Sequence, residues 1–236
     1  MPKRKRGAVK STVHEEVVIA EDSTPVDASL KVNRPIFLFA HGAGAGAASS
    51  WMQEWTKRLA NVGDVVCFNY PHFAKKTRGP PPPMVKLVTS HKAELQKLEV
   101  QGRPIILIGK SMGSRVGCHL SVDLDVFSNV KGLVCLGYPL MGANGSKRDE
   151  VLRRLRLPML FIQGSRDKLC PLPSLEMTLQ EMKADHTLYI VDGGDHSLML
   201  LKGMIKKTGI TQEQSDEKVL ESVKAFVDKV LIQPTP

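Results

Sequence analysis

Three residues of this chain have the types needed to turn a hydroxyl on a carbonyl, and each follows a short apolar run. Gly109-Lys110-Ser111-Met112-Gly113 comes directly after Pro104-Ile105-Ile106-Leu107-Ile108 and before a helical pattern. This is G-x-S-x-G in a strand–turn–helix setting. A nucleophile in so sharp a turn needs glycine two places before and two places after it, because a Cβ there would collide. Ser111 is then expected to project above the end of a sheet. The backbone N–H of Met112, at the positive end of a helix, would face a developing oxyanion. A serine is a poor nucleophile until a base takes its proton. His196, on the loop Gly193-Gly194-Asp195-His196-Ser197, is the expected base. Asp167, in Gly164-Ser165-Arg166-Asp167, is the expected acid that fixes the histidine tautomer and stabilises the imidazolium. Asp192 is a second choice for that role. Asp195 is adjacent to the histidine, which gives it poor geometry for the task.

A further loop bears on the same chemistry. His41-Gly42-Ala43-Gly44-Ala45-Gly46 follows the first apolar run, and small residues let backbone approach a substrate closely. The N–H of Ala43 is the expected second oxyanion donor. A phosphate-binding turn fits poorly. The glycines are spaced two by two, and the Lys110-Ser111 pair lacks the upstream glycine of a Walker motif. The seven histidines are scattered without ligand pairing, so neither a metal nor another cofactor is expected.

The elements that must position these residues show in the hydrophobic pattern. Five apolar runs, at 35–40, 65–70, 104–108, 132–136 and 158–162, read as strands buried on both faces. A sixth at 187–191 alternates more. Helix-period stretches lie between them. Trp51, Trp55 and Leu59 form one, with Ser50 and Gln53 as a capping box. Met84, Val88, His91 or Lys92, Leu95 and Leu98 form another. Val116, Leu120 and Val122 follow the third strand, and Val219, Val223, Phe226 and Val230 mark a last helix. The alternation predicts an α/β fold with a doubly wound, mostly parallel sheet. The serine, the acid and the histidine each fall at a strand's C-terminal end.

Composition narrows the classes. The 236 residues are 42% hydrophobic and 24% charged, which excludes a disordered, collagen-like or coiled-coil chain. The net charge is +9, but residues 1–10 hold five cations and no acid, leaving +4 for the rest. That argues against a nucleic-acid-binding surface. No run of 18 apolar residues is present, and the basic start has no apolar region after it. Neither a membrane span nor a secretory signal is therefore expected. Cys67, Cys118, Cys135 and Cys170 make no CxxC pair, and three of the four sit in apolar runs, which fits a reducing compartment. Residues 1–12 read as a disordered basic tail. Lys3-Arg4-Lys5-Arg6 suits the acidic groove of a nuclear import receptor, so nucleus or cytosol is the expected location. Residues 13–34 read as a variable segment with an edge strand at 17–19, and 35–232 as one domain. The proline run 79–83 reads as a stiff surface connection.

The order Ser111, Asp167, His196, the loop His41-Gly42-Ala43-Gly44 and the Gly194-Asp195-His196 ending together resemble the α/β-hydrolase superfamily. The likeness is to its dienelactone-hydrolase-related group, with the testis-expressed hydrolase-like proteins and the hydrolase-like domain of the nonspecific-lethal complex regulatory subunit. It runs from residue 35 to 200, and a helix at 214–232 fits the fold's last one. The resemblance implies a serine hydrolase architecture and no particular substrate. With the triad Ser111, His196 and Asp167 filled, the expected reaction is hydrolysis of an ester or thioester through an acyl-enzyme. The resemblance implies as the alternative a catalytically silent scaffold in a protein complex, nuclear in some members. Lys110 departs from the residues usual before the serine in esterases and lipases. Between Tyr138 and Leu157 there is room for one short helix, 147–155, so no large cap domain is expected. Arg148, Arg153, Arg154 and Arg156 on that helix would favour an anionic substrate if they reached the rim. A solvated helix face is their plainer reading.

Overall fold

The computed structural model describes residues 34–74, 81–98, 100–122 and 128–232. The basic tail, the strand expected at 17–19 and the start of the proline run lie outside them. In chain order the elements are β1 (Ile36–Ala40), α1 (Ser50–Leu59), β2 (Asp64–Phe68), α2 (Pro71–Ala74) and α3 (Met84–Lys97). Next come β3 (Ile105–Lys110), α4 (Met112–Ser121), β4 (Val130–Leu136), α5 (Glu150–Arg154) and β5 (Met159–Gly164). The last four are α6 (Leu172–Gln180), β6 (His186–Val191), α7 (Lys202–Thr208) and α8 (Gln212–Ile232).

The six strands form one parallel sheet in the order β2-β1-β3-β4-β5-β6. Every residue of β1, β3 and β5 is buried, which is why these strands read as unbroken apolar runs. Successive side chains take opposite faces. Phe37 and Phe39 pack with Trp55 and Leu59 of α1 and with Val223 and Phe226 of α8. Leu38 and Ala40 join Leu87 of α3, Val116 of α4, Leu152 of α5 and Leu175 of α6. Two helices therefore cover one face and four the other, the doubly wound arrangement.

The chain steps from β1 outward to β2, then returns to lay β3 on the other side of β1. At such a switch point the loops leaving the two central strands diverge and open a crevice at their C-terminal ends. The loop after β1 carries His41 to Gly46, and the turn after β3 carries Ser111.

Two local expectations need correction. Helix α1 is capped by Ser49, not Ser50. The Ser49 side chain accepts from the N–H of Met52, and its carbonyl accepts from Gln53 at 2.9 Å. The helix expected over 147–155 is only the five residues of α5. Met141 and Lys147 pair as an antiparallel bridge instead, and the Tyr138 hydroxyl donates to the Arg148 carbonyl at 2.8 Å. The segment between β4 and β5 holds no large cap.

Candidate active site

The turn from β3 into α4 places Ser111 at φ 50°, ψ −111°, a conformation that side chains rarely adopt. Strain of this kind persists only where the surroundings enforce it. Here two close approaches do. A Cβ on Gly109 would strike the backbone of Gly113 and Ser114. One on Gly113 would lie 2.8 Å from the His41 carbonyl oxygen. Both glycines expected beside the serine are thus required by backbone contact.

The serine meets the histidine. His196 Nε2 lies 2.7 Å from Ser111 Oγ, and His196 Nδ1 lies 2.7 Å from Asp167 Oδ2. A carboxylate only accepts, so Nδ1 carries the ring proton and Nε2 is left to accept from the serine hydroxyl. Asp167 is 3% exposed. Its Oδ2 also accepts from Gln163 Nε2 at 2.6 Å, and its Oδ1 from the N–H of Leu169 at 2.8 Å. Burial by itself would raise this carboxyl. The hydrogen bond and charge of His196, with those two further donors, outweigh it and hold Asp167 below the usual carboxylate range.

The rival acids are occupied elsewhere. Asp195 Oδ1 accepts from the N–H groups of Ser197 and Met199, at 2.7 and 3.0 Å, and so shapes the histidine loop. Asp192 Oδ1 accepts from Ser165 Oγ at 3.2 Å.

Ala43 lies exposed beside Ser111 in the wall of a cavity of about 280 Å³. Met112 opens α4, where backbone N–H groups have no partner within the helix. His41, expected only as part of the loop, proves to support it. The N–H of Tyr70 donates to His41 Nε2 at 3.1 Å, which leaves the proton on Nδ1 to be donated to the Gly42 carbonyl at 2.7 Å. Burial, with His72 nearby, keeps this imidazole neutral against the opposing pull of Gly42. Ala43 follows directly, so the peptide beside the serine is braced from beneath.

Three further features were not expected from the sequence. Gln163 holds the acid. Trp51 Nε1 donates to the Ser197 carbonyl at 2.9 Å, tying α1 to the histidine loop. Lys110 is 8% exposed, and its ammonium donates to the backbone carbonyl of His196 while standing 5.2 Å from the centre of the Trp51 ring. Burial pushes Lys110 down to about 8, against the pull of Asp167 and Asp195. The four arginines between β4 and β5 are not in the cavity wall. Arg153 pairs instead with Asp149 at 2.8 Å and Glu181 at 2.5 Å, as a solvated helix face would.

A family model described as an alpha/beta hydrolase domain matches residues 33–228. Solved structures share the fold at low identity. Dienelactone hydrolase from Anabaena variabilis is 17% identical with a TM-score of 0.62, over 84% of this chain and 87% of its own. Est1E from Butyrivibrio proteoclasticus, with ferulic acid bound, is 14% identical with a TM-score of 0.62, over 87% of this chain and 93% of its own. A serine hydrolase homologue from Coxiella burnetii is 15% identical with a TM-score of 0.62, over 93% of this chain and 99% of its own.

Proposed function

The chain belongs to the alpha/beta hydrolase domain family, and from that premise we propose that it is a serine hydrolase of carboxylic esters or thioesters acting through an acyl-enzyme. The relay Ser111–His196–Asp167, with both hydrogen bonds at 2.7 Å, carries this reading. As Ser111 Oγ attacks the carbonyl carbon, its proton passes to His196 Nε2. Asp167 stabilises the resulting imidazolium. The carbonyl oxygen becomes an oxyanion held by the N–H groups of Ala43 and Met112. Collapse breaks the bond to the leaving oxygen or sulfur, which takes the proton from His196. Water then attacks the acyl-enzyme with the same histidine as base, releasing the acid and restoring Ser111.

The motifs also support a closer kinship with the dienelactone-hydrolase-related proteins named above. The basic run Lys3–Arg6 supports capture by a nuclear import receptor, with cytosolic residence as the alternative. Fusing residues 1–12 to a reporter too large for passive entry tests this, and a reporter left in the cytosol removes it.

A fluorophosphonate probe tests the chemistry. The wild-type protein is expected to be labelled at Ser111 and to turn over p-nitrophenyl acetate. Ser111→Ala should abolish both while circular dichroism stays unchanged. Turnover that survives in Ser111→Ala would sink the assignment. An unlabelled wild-type protein would favour the silent scaffold.

A further inference from the structure

Lys110 raises a question of charge. Its ammonium has three N–H donors, yet one acceptor meets it, the carbonyl of His196, with the Trp51 ring beside it. Among the described residues no carboxylate lies within ion-pair distance of it. A buried cation without a partner is costly, and it is normally paired or neutralised. Lys110 nevertheless stands in the wall of the cavity that contains Ser111. It is the one lysine, arginine or carboxylate side chain among the residues lining that cavity. Around the cavity, Trp51, Met52, Ala43 and Ala45 supply apolar wall, and Ser49 and Ser197 add hydroxyls beside Ser111 and His196.

The shape of the cavity says which part of a substrate would meet this cation. Residues 43–45 are exposed and form the mouth, while Met52 and Lys110 are buried behind it. The acyl group stays on Ser111 through the second half of the reaction, so the walled part beside the serine holds it. The leaving group departs through the mouth.

We propose that Lys110 is a substrate-binding residue that selects acyl groups carrying a second, anionic carboxylate, making this a hydrolase of the half-esters or half-thioesters of short dicarboxylic acids. This rests on the serine hydrolase reading and adds its substrate class. The anion supplies the partner the ammonium lacks, and the apolar walls hold the methylene chain between the two carboxyl carbons. The cation contacts the backbone of His196 as well, so truncating it lowers turnover of every ester to some degree. Selectivity between two esters is unaffected by that common loss.

Ethyl butyrate and monoethyl succinate form a matched pair, differing by a carboxylate in place of a terminal methyl. Hydrolysis of each is followed by acid release at pH 7. The wild-type protein is expected to favour the succinate ester in kcat/KM by about tenfold or more. Lys110→Met should bring the ratio to one or below, with the change mainly in KM. A wild-type ratio near one overturns the proposal, as does a ratio unchanged in Lys110→Met. A second measurement needs no variant. Succinamate should slow fluorophosphonate labelling of the wild-type protein more than butyramide does, and equal protection counts against the proposal. The labelling also separates the two levels of the argument. Ser111 labelled without charge preference removes the substrate class alone, whereas Ser111 unlabelled removes the hydrolase reading beneath it.

Discussion

At the scale of single residues, the two acids near His196 separate by what their oxygens do. Asp167 is buried, faces His196 Nδ1 and is held by Gln163 and the Leu169 N–H. Asp195 spends its Oδ1 on two backbone N–H groups of its own loop. Asp167→Asn offers the histidine a donor as readily as an acceptor and releases the tautomer. It is expected to lower kcat by about 10⁴-fold with little change in KM. Asp195→Asn keeps an acceptor for the loop and should cost less than about tenfold, the ordinary scale of one weakened neutral hydrogen bond. Steady-state kinetics on the two variants decides, and the reverse ranking would move the acid onto the histidine loop. The sequence made Ser111, Asp167 and His196 legible because each ends an apolar run, and strand ends converge on one edge of a parallel sheet. Lys110, Gln163 and the His41 tautomer were not legible in the same way. Lys110 reaches a carbonyl 86 positions away, and no local pattern marks such a contact.

Among the elements, the turn between β3 and α4 carries the tightest constraint. Gly113, in the first turn of α4, lies under the carbonyl groups of Ala40, the last residue of β1, and of His41 in the loop that follows it. An added methyl there meets backbone rather than a side chain that can turn aside. Gly113→Ala is therefore expected to force β1 and β3 apart, at a cost of about 1–3 kcal/mol or more. Because Ser111 and the Ala43 peptide sit on the two displaced loops, it should also slow probe labelling by at least about tenfold. Thermal unfolding and labelling rates measure the two effects. A variant of unchanged stability would mean that the approach is looser than it stands. The strands were legible for the reason that makes this turn tight. Their runs are buried on both faces and must be apolar throughout. Helix α6 was missed. Pro173 lies in its first turn, where a missing N–H costs nothing, although proline is more easily read as a break. The shortening of α5 was also hidden, because it is decided by the pairing of Met141 with Lys147.

For the whole molecule, the buried bases set how stability responds to acid. His91, on the buried face of α3, is completely buried against the aromatic rings of Phe68 and Tyr70, with Nδ1 3.2 Å from the Tyr70 hydroxyl. Burial pushes it down to about 3. The unfolded chain therefore binds a proton at this histidine that the folded chain refuses, at any pH between about 3 and 6.5. Stability rises with pH wherever the unfolded state holds more protons. The contribution of His91 is thus complete above 6.5 and is lost steadily as pH falls toward 3. His41, also lowered by burial, acts in the same direction. Asp167, held below its usual range, adds its loss only at lower pH, once the unfolded carboxylate begins to protonate. Lys110 has the same sign in a higher window and adds a further rise from about 8 toward the ordinary lysine range. The protein should accordingly begin to lose stability well above the pH at which carboxylates titrate. The urea midpoint is expected to fall between pH 7 and pH 5 in the wild-type protein. In His91→Leu, which keeps an apolar side chain in the same space, that fall should be smaller even if the variant starts from a lower midpoint. Parallel slopes in the two proteins over this range would show that His91 carries none of the acid sensitivity and that its burial is tolerated in the protonated state.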